Sequence, residues 1–129
     1  MKRILFLATT ILLLTACQES LEERAKRTLQ DYSNKNCPMP VSSEITMDSC
    51  AFETATHTLH YFYTFKGSLD NDSLLNREAM RNALVTALKN ETSTRIFKEA
   101  GYNFKYTYYS EKQSGTVLFE ATMEKEDYQ

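Results

Sequence analysis

Two histidines are the first residues whose chemistry could indicate a metal or catalytic site. His57 and His60 are the only histidines in the chain. They are three positions apart, so on a β-strand their side chains point to opposite faces and cannot share one metal ion. No serine or cysteine lies in a nucleophile context such as Gly-x-Ser-x-Gly. We therefore predict no catalytic residue, no metal ligand and no cofactor, and we expect both histidines at the surface or at a sheet edge.

The beginning of the chain has the organisation of an export signal. Lys2 and Arg3 supply positive charge, and residues 4–14 are apolar apart from two threonines. A stretch of ~11 residues is too short for the ~20 that a transmembrane helix needs. It fits the apolar region of a secretory signal, which spans ~7–15 residues. The tetrapeptide Leu14-Thr15-Ala16-Cys17 follows at once.

This tetrapeptide resembles the lipobox of bacterial lipoproteins. The resemblance implies a lipid thioether on Cys17, cleavage after Ala16 and acylation, for example by palmitate, of the new amino group. Two or three acyl chains would anchor the protein to a membrane without a spanning helix. An Asp directly after the lipidated cysteine would favour retention in the inner membrane. This chain has Gln18 at that position, which favours the outer membrane. The alternatives are an ordinary signal peptide with an incidental cysteine, or an uncleaved anchor.

Size and charge after cleavage indicate one small domain. Removal of residues 1–16 leaves residues 17–129, a length typical of a single domain. The formal net charge of −2 becomes −4 once Lys2 and Arg3 are removed. A mildly acidic chain without clustered Lys and Arg is unsuited to binding the phosphate backbone of a nucleic acid. We therefore expect no nucleic-acid partner.

Cys37 and Cys50 remain once Cys17 carries lipid. An even pair of cysteines in an exported chain predicts a disulfide, here closing a loop of about 14 residues. In the chain-entropy model such a loop stabilises the fold by ~3 kcal/mol. A redox or metal pair is the alternative, but the chain has no Cys-x-x-Cys and no ligand-type residue at metal spacing. In a compartment that does not oxidise thiols, both cysteines would be free.

Hydrophobic periodicity predicts the elements. Residues 19–34 carry one apolar stripe at helical spacing, although a polar tether after the lipid is the alternative. Residues 74–100 predict one kinked helix or two helices in line, with Asp72 or Ser73 as the N-cap. Alternating apolar and polar residues predict four strands, at residues 45–56, 58–66, 102–109 and 116–124. The fold class is therefore α+β: an N-terminal helix, then β-β-α-β-β, with helices packed on an antiparallel four-stranded sheet.

The tyrosines suggest an interaction surface. On the predicted strands, most tyrosines share the face that packs against the helices. Phe62, Tyr109 and Leu118 fall on the opposite face, where they could form an exposed apolar patch of the kind found at protein interfaces. The alternative is that the N-terminal helix covers this second face.

Beyond the lipobox, Asn36-Cys37-Pro38-Met39 and the order of elements resemble small uncharacterised lipoproteins of Gram-negative bacteria, a group with no activity to transfer. Our leading hypothesis is a membrane-anchored, non-enzymatic module that binds an envelope protein, as an assembly factor, pilotin, exclusion or immunity lipoprotein does. The alternatives are an envelope enzyme or enzyme inhibitor, which requires converging carboxylates in a cleft, and a carrier of a small hydrophobic ligand, which requires an apolar cavity.

Overall fold

A five-stranded mixed sheet forms the centre of the computed structural model, which describes residues 19–129. The strands lie side by side in chain order, as β1 (Met39–Ser42), β2 (Ile45–Glu53), β3 (Thr58–Phe65), β4 (Asn103–Ser110) and β5 (Val117–Met123). Neighbouring strands are antiparallel except β3 and β4, which are parallel. The α+β class and the N-terminal helix are confirmed, whereas the four-stranded, fully antiparallel sheet is wrong.

Two features account for the difference between the predicted and the observed sheet. Met39 and Pro40, which lie outside the four predicted strands, pair with Met47 and Thr46 and so add an edge strand. The chain between β3 and β4 crosses from one end of the sheet to the other through helical segments. Such a crossover returns the chain in the same direction, so the two strands it joins run parallel.

The N-terminal helix α1 (Leu21–Asn36) packs on one face of the sheet. The Ser20 side chain caps it by accepting from the Glu23 N–H at 3.1 Å, as serine does at many helix starts. Ala25 and Leu29 are its buried residues. The thiol of Cys50 in β2 donates to the Leu29 carbonyl at 3.4 Å. The helix is therefore docked on the sheet, and the polar tether proposed as an alternative is excluded for this segment.

The crossover contains two helices, α2 (Arg77–Asn90) and α3 (Arg95–Glu99). This outcome matches the prediction of two helices rather than one kinked helix. The N-cap of α2 is Asn76, which accepts from the Ala79 N–H at 3.0 Å. The predicted caps lie instead in a 3-10 turn, Asp72–Leu74. A last short helix, α4 (Lys125–Tyr128), follows β5.

The sheet has an inner face, packed against the helices, and an outer face. Alternation along each strand places the large side chains inward, and five of them form the centre of the core: Leu59, Phe65, Phe104, Phe119 and Met123. The inner side chains of β3 and β4 stand side by side because the two strands pair in register.

Candidate functional site: a tyrosine-floored groove

A groove opens on the inner face between α1 and α2. Its volume is about 500 Å³, within the range of ~300–1,000 Å³ typical of ligand sites. Thr28, Leu29 and Tyr32 of α1 form one wall, and the other wall combines α2 with the start of α3. The two helices cover different strands, so the middle of the sheet between them is left open.

Three tyrosines form the floor of the groove: Tyr61, Tyr63 and Tyr106. Tyr61 and Tyr106 are register partners across the parallel pair, and their rings stack with centroids 5.4 Å apart and planes at 15°. Tyr63 stacks in the same way on Tyr108, at 4.6 Å and 10°. Offset stacking of this kind adds ~0.5–1.5 kcal/mol per pair beyond area burial. The floor is therefore a flat and rigid aromatic surface.

Burial in this apolar site raises the pKa of the floor tyrosines. The pKa of Tyr61 lies well above its usual value, mainly because burial disfavours the phenolate. The pKa values of Tyr63 and Tyr106 are raised for the same reason. All three therefore stay neutral hydroxyls that can donate or accept a hydrogen bond.

Those hydroxyls are open to a ligand. Within residues 19–129, every fully buried side-chain nitrogen or oxygen has a hydrogen-bond partner. Tyr106 is only 8% exposed, and its hydroxyl bonds to no other group of the described chain. The oxygen must therefore reach the open groove rather than the closed core. Polar groups on an apolar floor are the usual means by which a site orients what it binds.

Glu91 is the charged residue of the lining. Its carboxylate accepts from the Ser93 N–H at 2.6 Å and from the hydroxyls of Ser93 and Thr94. Burial alone would raise its pKa, but these hydrogen bonds and the positive charge of Lys98 lower it. Lys98 itself donates to the Leu88 carbonyl at 2.6 Å. Glu91 therefore holds a fixed negative charge at the turn between α2 and α3.

The predicted patch lies on the outer face. Phe62 and Tyr109 are half-buried there, with ring centroids 6.5 Å apart. Leu118 is half-buried on the neighbouring strand β5. Because α1 packs on the inner face, it does not cover these residues. Their role in interaction stays a prediction. The groove on the inner face was foreseen only as the apolar cavity that a ligand carrier requires, without its residues.

A polar chain crosses the outer face beside this patch. His60 contacts the Glu53 carboxylate through Nδ1, and its Nε2 lies 2.7 Å from Thr107 Oγ1. Thr107 donates to Glu120 at 2.8 Å, and Glu120 pairs with Lys105 at 3.6 Å. The expected surface role of His60 is wrong, because the residue is only 8% exposed. This row of polar side chains links four strands, from β2 to β5.

His57 is exposed, in agreement with its expected surface role. It occupies the turn before β3 with a φ of 50°. Its Nε2 lies 2.5 Å from Glu22 of α1, and its ring stacks on Tyr102 at 5.1 Å. His57 therefore connects the start of α1 to the end of the sheet.

The cysteines of the described region are free thiols in the structure. Cys50 is buried, and burial raises its pKa to about 11. Burial also raises the pKa of Cys37. The predicted disulfide between them thus stays a prediction. Cys17 lies outside the described residues.

Within residues 19–129, no helix has the length and apolar character required to cross a membrane. No three potential metal ligands of the His, Cys, Asp or Glu type come together there.

The sequence matches the family described as "Domain of unknown function (DUF8479)" over residues 20–119. The chain belongs to the DUF8479 family. Its residues 1–18 match the prokaryotic membrane lipoprotein lipid attachment site, which confirms the lipobox signal and makes the chain a membrane lipoprotein. A comparison with curated protein sequences finds no match.

Three solved structures share the fold of this DUF8479 domain. A candidate secreted protein from Pseudomonas aeruginosa is 14% identical, with a TM-score of 0.68 over 87% of this chain and 100% of that chain. A pilotin of the Vibrio vulnificus type 2 secretion system is 10% identical, with a TM-score of 0.67 over 84% of this chain and 92% of that one. The type II secretion system pilotin of Vibrio cholerae is 13% identical, with a TM-score of 0.62 over 83% and 91%.

Proposed function

We propose that this lipoprotein is a non-enzymatic binding module of the pilotin type, anchored in the outer membrane through Cys17, whose groove holds a segment of an envelope protein. Two of the structures with the same fold are pilotins of type II secretion systems. The partner proposed by this likeness is a component of a secretion system. The observation that carries the proposal is the groove itself, an open apolar site with a tyrosine floor.

The composition of the groove suits protein binding. Tyrosine is enriched at protein interfaces because it offers a large apolar surface with a polar tip and few rotatable bonds. The floor tyrosines are already stacked and half-buried or buried, so little side-chain entropy is lost when a partner docks. Leu29, Leu88 and Phe97 support the walls from the core.

A non-enzymatic role also agrees with the polar chain on the outer face. Glu53, His60 and Thr107 have the order of an acid, a base and a hydroxyl nucleophile. Thr107 is only 1% exposed, however, and its proton is donated to Glu120. A substrate carbonyl could not reach this hydroxyl. These polar side chains therefore connect the strands and do not attack a substrate.

A carrier of a small hydrophobic ligand is the second candidate. The volume of about 500 Å³ and the apolar lining favour it, since small-molecule sites have these properties. The carrier and the protein-binding module would use the same groove. They differ in whether a small molecule or a protein segment occupies it.

The test is cross-linking of the tagged lipoprotein in intact cells, followed by purification and mass spectrometry. Leu84→Glu places a charge in the groove lining, and Leu118→Glu places the same charge in the outer-face patch. Both leucines are half-buried, so the variants are matched. We expect Leu84→Glu to lose an envelope protein that Leu118→Glu and the wild type retain. Circular dichroism of both variants verifies the fold.

Three other results would redirect the proposal. Loss of the partner in Leu118→Glu alone would make the outer-face patch the binding site. Equal capture of the partner by the wild type and by a Cys17→Ser variant would show that binding does not need the lipid anchor. Recovery of a bound lipid or other small apolar molecule, with no cross-linked protein, would favour the carrier.

A further inference from the structure

We infer that the domain stands directly on the phospholipid bilayer that holds its anchor, with the start of α1 and the turn before β3 against the lipid headgroups. The inference rests on the lipid anchor at Cys17 in the proposed function and adds the surface that meets the membrane. The length of the link to Cys17, the fixed position of Glu19 and the direction of the strands carry it.

The link between the anchor and the folded domain is very short. Cys17 is two positions before Glu19, the first residue that the structure describes. Since an extended chain spans at most ~3.6 Å per residue, the Cα atoms of Cys17 and Glu19 are no more than ~7 Å apart. The acyl chains leave the polypeptide at Cys17, which keeps that residue at the level of the headgroups. Glu19 therefore lies close to the surface of the bilayer.

Glu19 is itself fixed to α1. Its two carboxylate oxygens accept from Nε and Nη2 of Arg27, each at 2.9 Å, a bidentate geometry that is stronger and more specific than a single hydrogen bond. Ser20 follows and caps the helix. Only Gln18 stands between the anchored cysteine and this fixed residue. The domain is therefore held at the membrane far more closely than a domain on a long Gly/Ser linker, whose reach grows with its length.

The turn before β3 lies beside the start of α1. Nε2 of His57 is 2.5 Å from Oε1 of Glu22, in the first turn of the helix. The N–H of Asn103, at the start of β4, donates to the His57 carbonyl at 2.9 Å. We call this end of the fold the proximal end, formed by the first turn of α1, the 3-10 turn Thr54–Thr56, His57 and Asn103. It is the end that the short link brings to the lipid.

The chemistry of the proximal end suits a headgroup surface. The turn Thr54–Thr56 connects β2 to β3 and is exposed, small and uncharged. It can enter the headgroup region without burying an unpaired charge. Two carboxylates near the link already have partners, because Glu19 pairs with Arg27 and Glu22 contacts His57. The threonine hydroxyls can exchange hydrogen bonds to water for hydrogen bonds to lipid phosphates.

The direction of the strands determines how the rest of the domain is placed. β3 and β4 both start at the proximal end and run parallel for eight residues, which at ~3.3 Å per residue is roughly 25 Å. The turn at residues 111–115, after β4, is at the opposite end, where the Glu111 N–H donates to the Phe65 carbonyl at 3.1 Å. The sheet therefore stands upright on the membrane, and both of its faces look along the membrane plane.

The experiment uses the full lipoprotein, purified with its acyl chains and added to preformed vesicles of phosphatidylethanolamine and phosphatidylglycerol. Part of the lipid carries a nitroxide quencher on its headgroup. A fluorescent amino acid is encoded at Ala55, in the proximal turn, or at Ser114, in the opposite turn, and both positions are exposed. We expect about half of the fluorescence to be quenched at Ala55 and less than about a tenth at Ser114, which is roughly 25 Å farther from the lipid. Equal quenching, or stronger quenching at Ser114, overturns the inference.

A linker variant tests whether the short link is the cause. About twelve Gly and Ser residues inserted between Gln18 and Glu19 give the link a mean reach of ~20 Å, while the lipid stays in place. The domain can then turn, so quenching at Ala55 should fall close to that at Ser114. A difference that survives the insertion rejects the short link as the cause of the orientation. Circular dichroism of each variant verifies the fold.

The outcomes separate the orientation from the proposed function. Flotation of the vesicles measures anchoring by itself. Protein that does not float with the vesicles refutes the anchor of the proposed function and the orientation together. Protein that floats but shows equal quenching at Ala55 and Ser114 keeps the anchor and rejects the orientation alone. Neither position lines the groove, so partner capture in cells by the same variants tests the binding role independently.

Discussion

Thr107 Oγ1 lies 2.7 Å from Nε2 of His60, although the two residues are 47 positions apart in the sequence. They meet because β3 and β4 are parallel neighbours, with His60 opposite Lys105 and Phe62 opposite Thr107. The contact therefore exists only with this strand pairing. The hydroxyl of Thr107 also joins His60 to Glu120 on β5, so one threonine connects three strands.

Thr107→Val should destabilise the protein by ~1–3 kcal/mol. Valine keeps the shape of threonine but leaves His60, which is 8% exposed, without its second partner, and an unpaired buried polar group carries a cost of this size. Urea unfolding measures the change. Thr122→Val, on the exposed part of the same face, is the matched control and should change stability by less than ~0.5 kcal/mol. Equal stability of the two variants would show that the polar chain is dispensable.

Tyr106→Phe should leave the free energy of unfolding within ~1 kcal/mol of the wild type. The ring and its stack on Tyr61 remain, and the lost hydroxyl has no partner in the described chain, so no hydrogen bond is broken. Partner capture in cells should nevertheless decrease, because the hydroxyl faces the groove. Thermal unfolding and cross-linking yield are measured on the same variant. A strong loss of stability would mean that the hydroxyl is bonded inside the fold.

Stability should decrease as the pH rises above about 10. Burial raises the pKa of Tyr108 to about 12, against 10.0 for an ordinary tyrosine. The unfolded chain therefore loses this proton first. The stabilising contribution of Tyr108 is fully present below pH 10 and is lost as the pH rises towards 12. Each such tyrosine adds a slope of up to ~1.4 kcal/mol per pH unit.

Urea unfolding between pH 9 and 11 measures this slope. Tyr108→Phe keeps the ring against Tyr63 and Phe65 but cannot ionise, so its slope should be smaller than that of the wild type. Identical slopes would mean that Tyr108 titrates alike in the folded and unfolded chains.

Local patterns predicted the elements well. Alternation along residues 102–109 placed Tyr106 and Tyr108 on the inner face, where both are buried. The apolar stripe of α1 predicted its burial through Ala25 and Leu29. Gly101 ends the helical segment with a φ of +76°, a conformation that glycine adopts without strain. Each of these features depends on residues close together in the sequence.

The sheet order and the groove depend on distant residues and were not predicted. The pairing of Tyr61 with Tyr106 requires the crossover through α2 and α3 to return β4 alongside β3. The groove is the space left between α1 and α2, which are separated by three strands in the sequence. Periodicity determines which face of a helix is buried, but it does not determine the separation between two helices on one sheet.

The disulfide predicted from the sequence can be tested on protein isolated from its own envelope. Both thiols approach α1, since Cys37 follows the last residue of that helix and Cys50 donates to the Leu29 carbonyl. A bond between them would tie the end of α1, and thus one wall of the groove, to β2. The closed loop of about 14 residues should stabilise the fold by ~3 kcal/mol.

We expect alkylation under denaturing, non-reducing conditions to leave both cysteines unmodified in mass spectra, and reduction to expose both. Reduction should also lower the thermal midpoint of the wild type but not that of Cys37→Ser, in which no bond can form. Modification of both thiols without reduction would show that the envelope protein keeps them free. Cys50 would then contribute to the core as a buried thiol, whose pKa of about 11 keeps it protonated and unreactive at neutral pH.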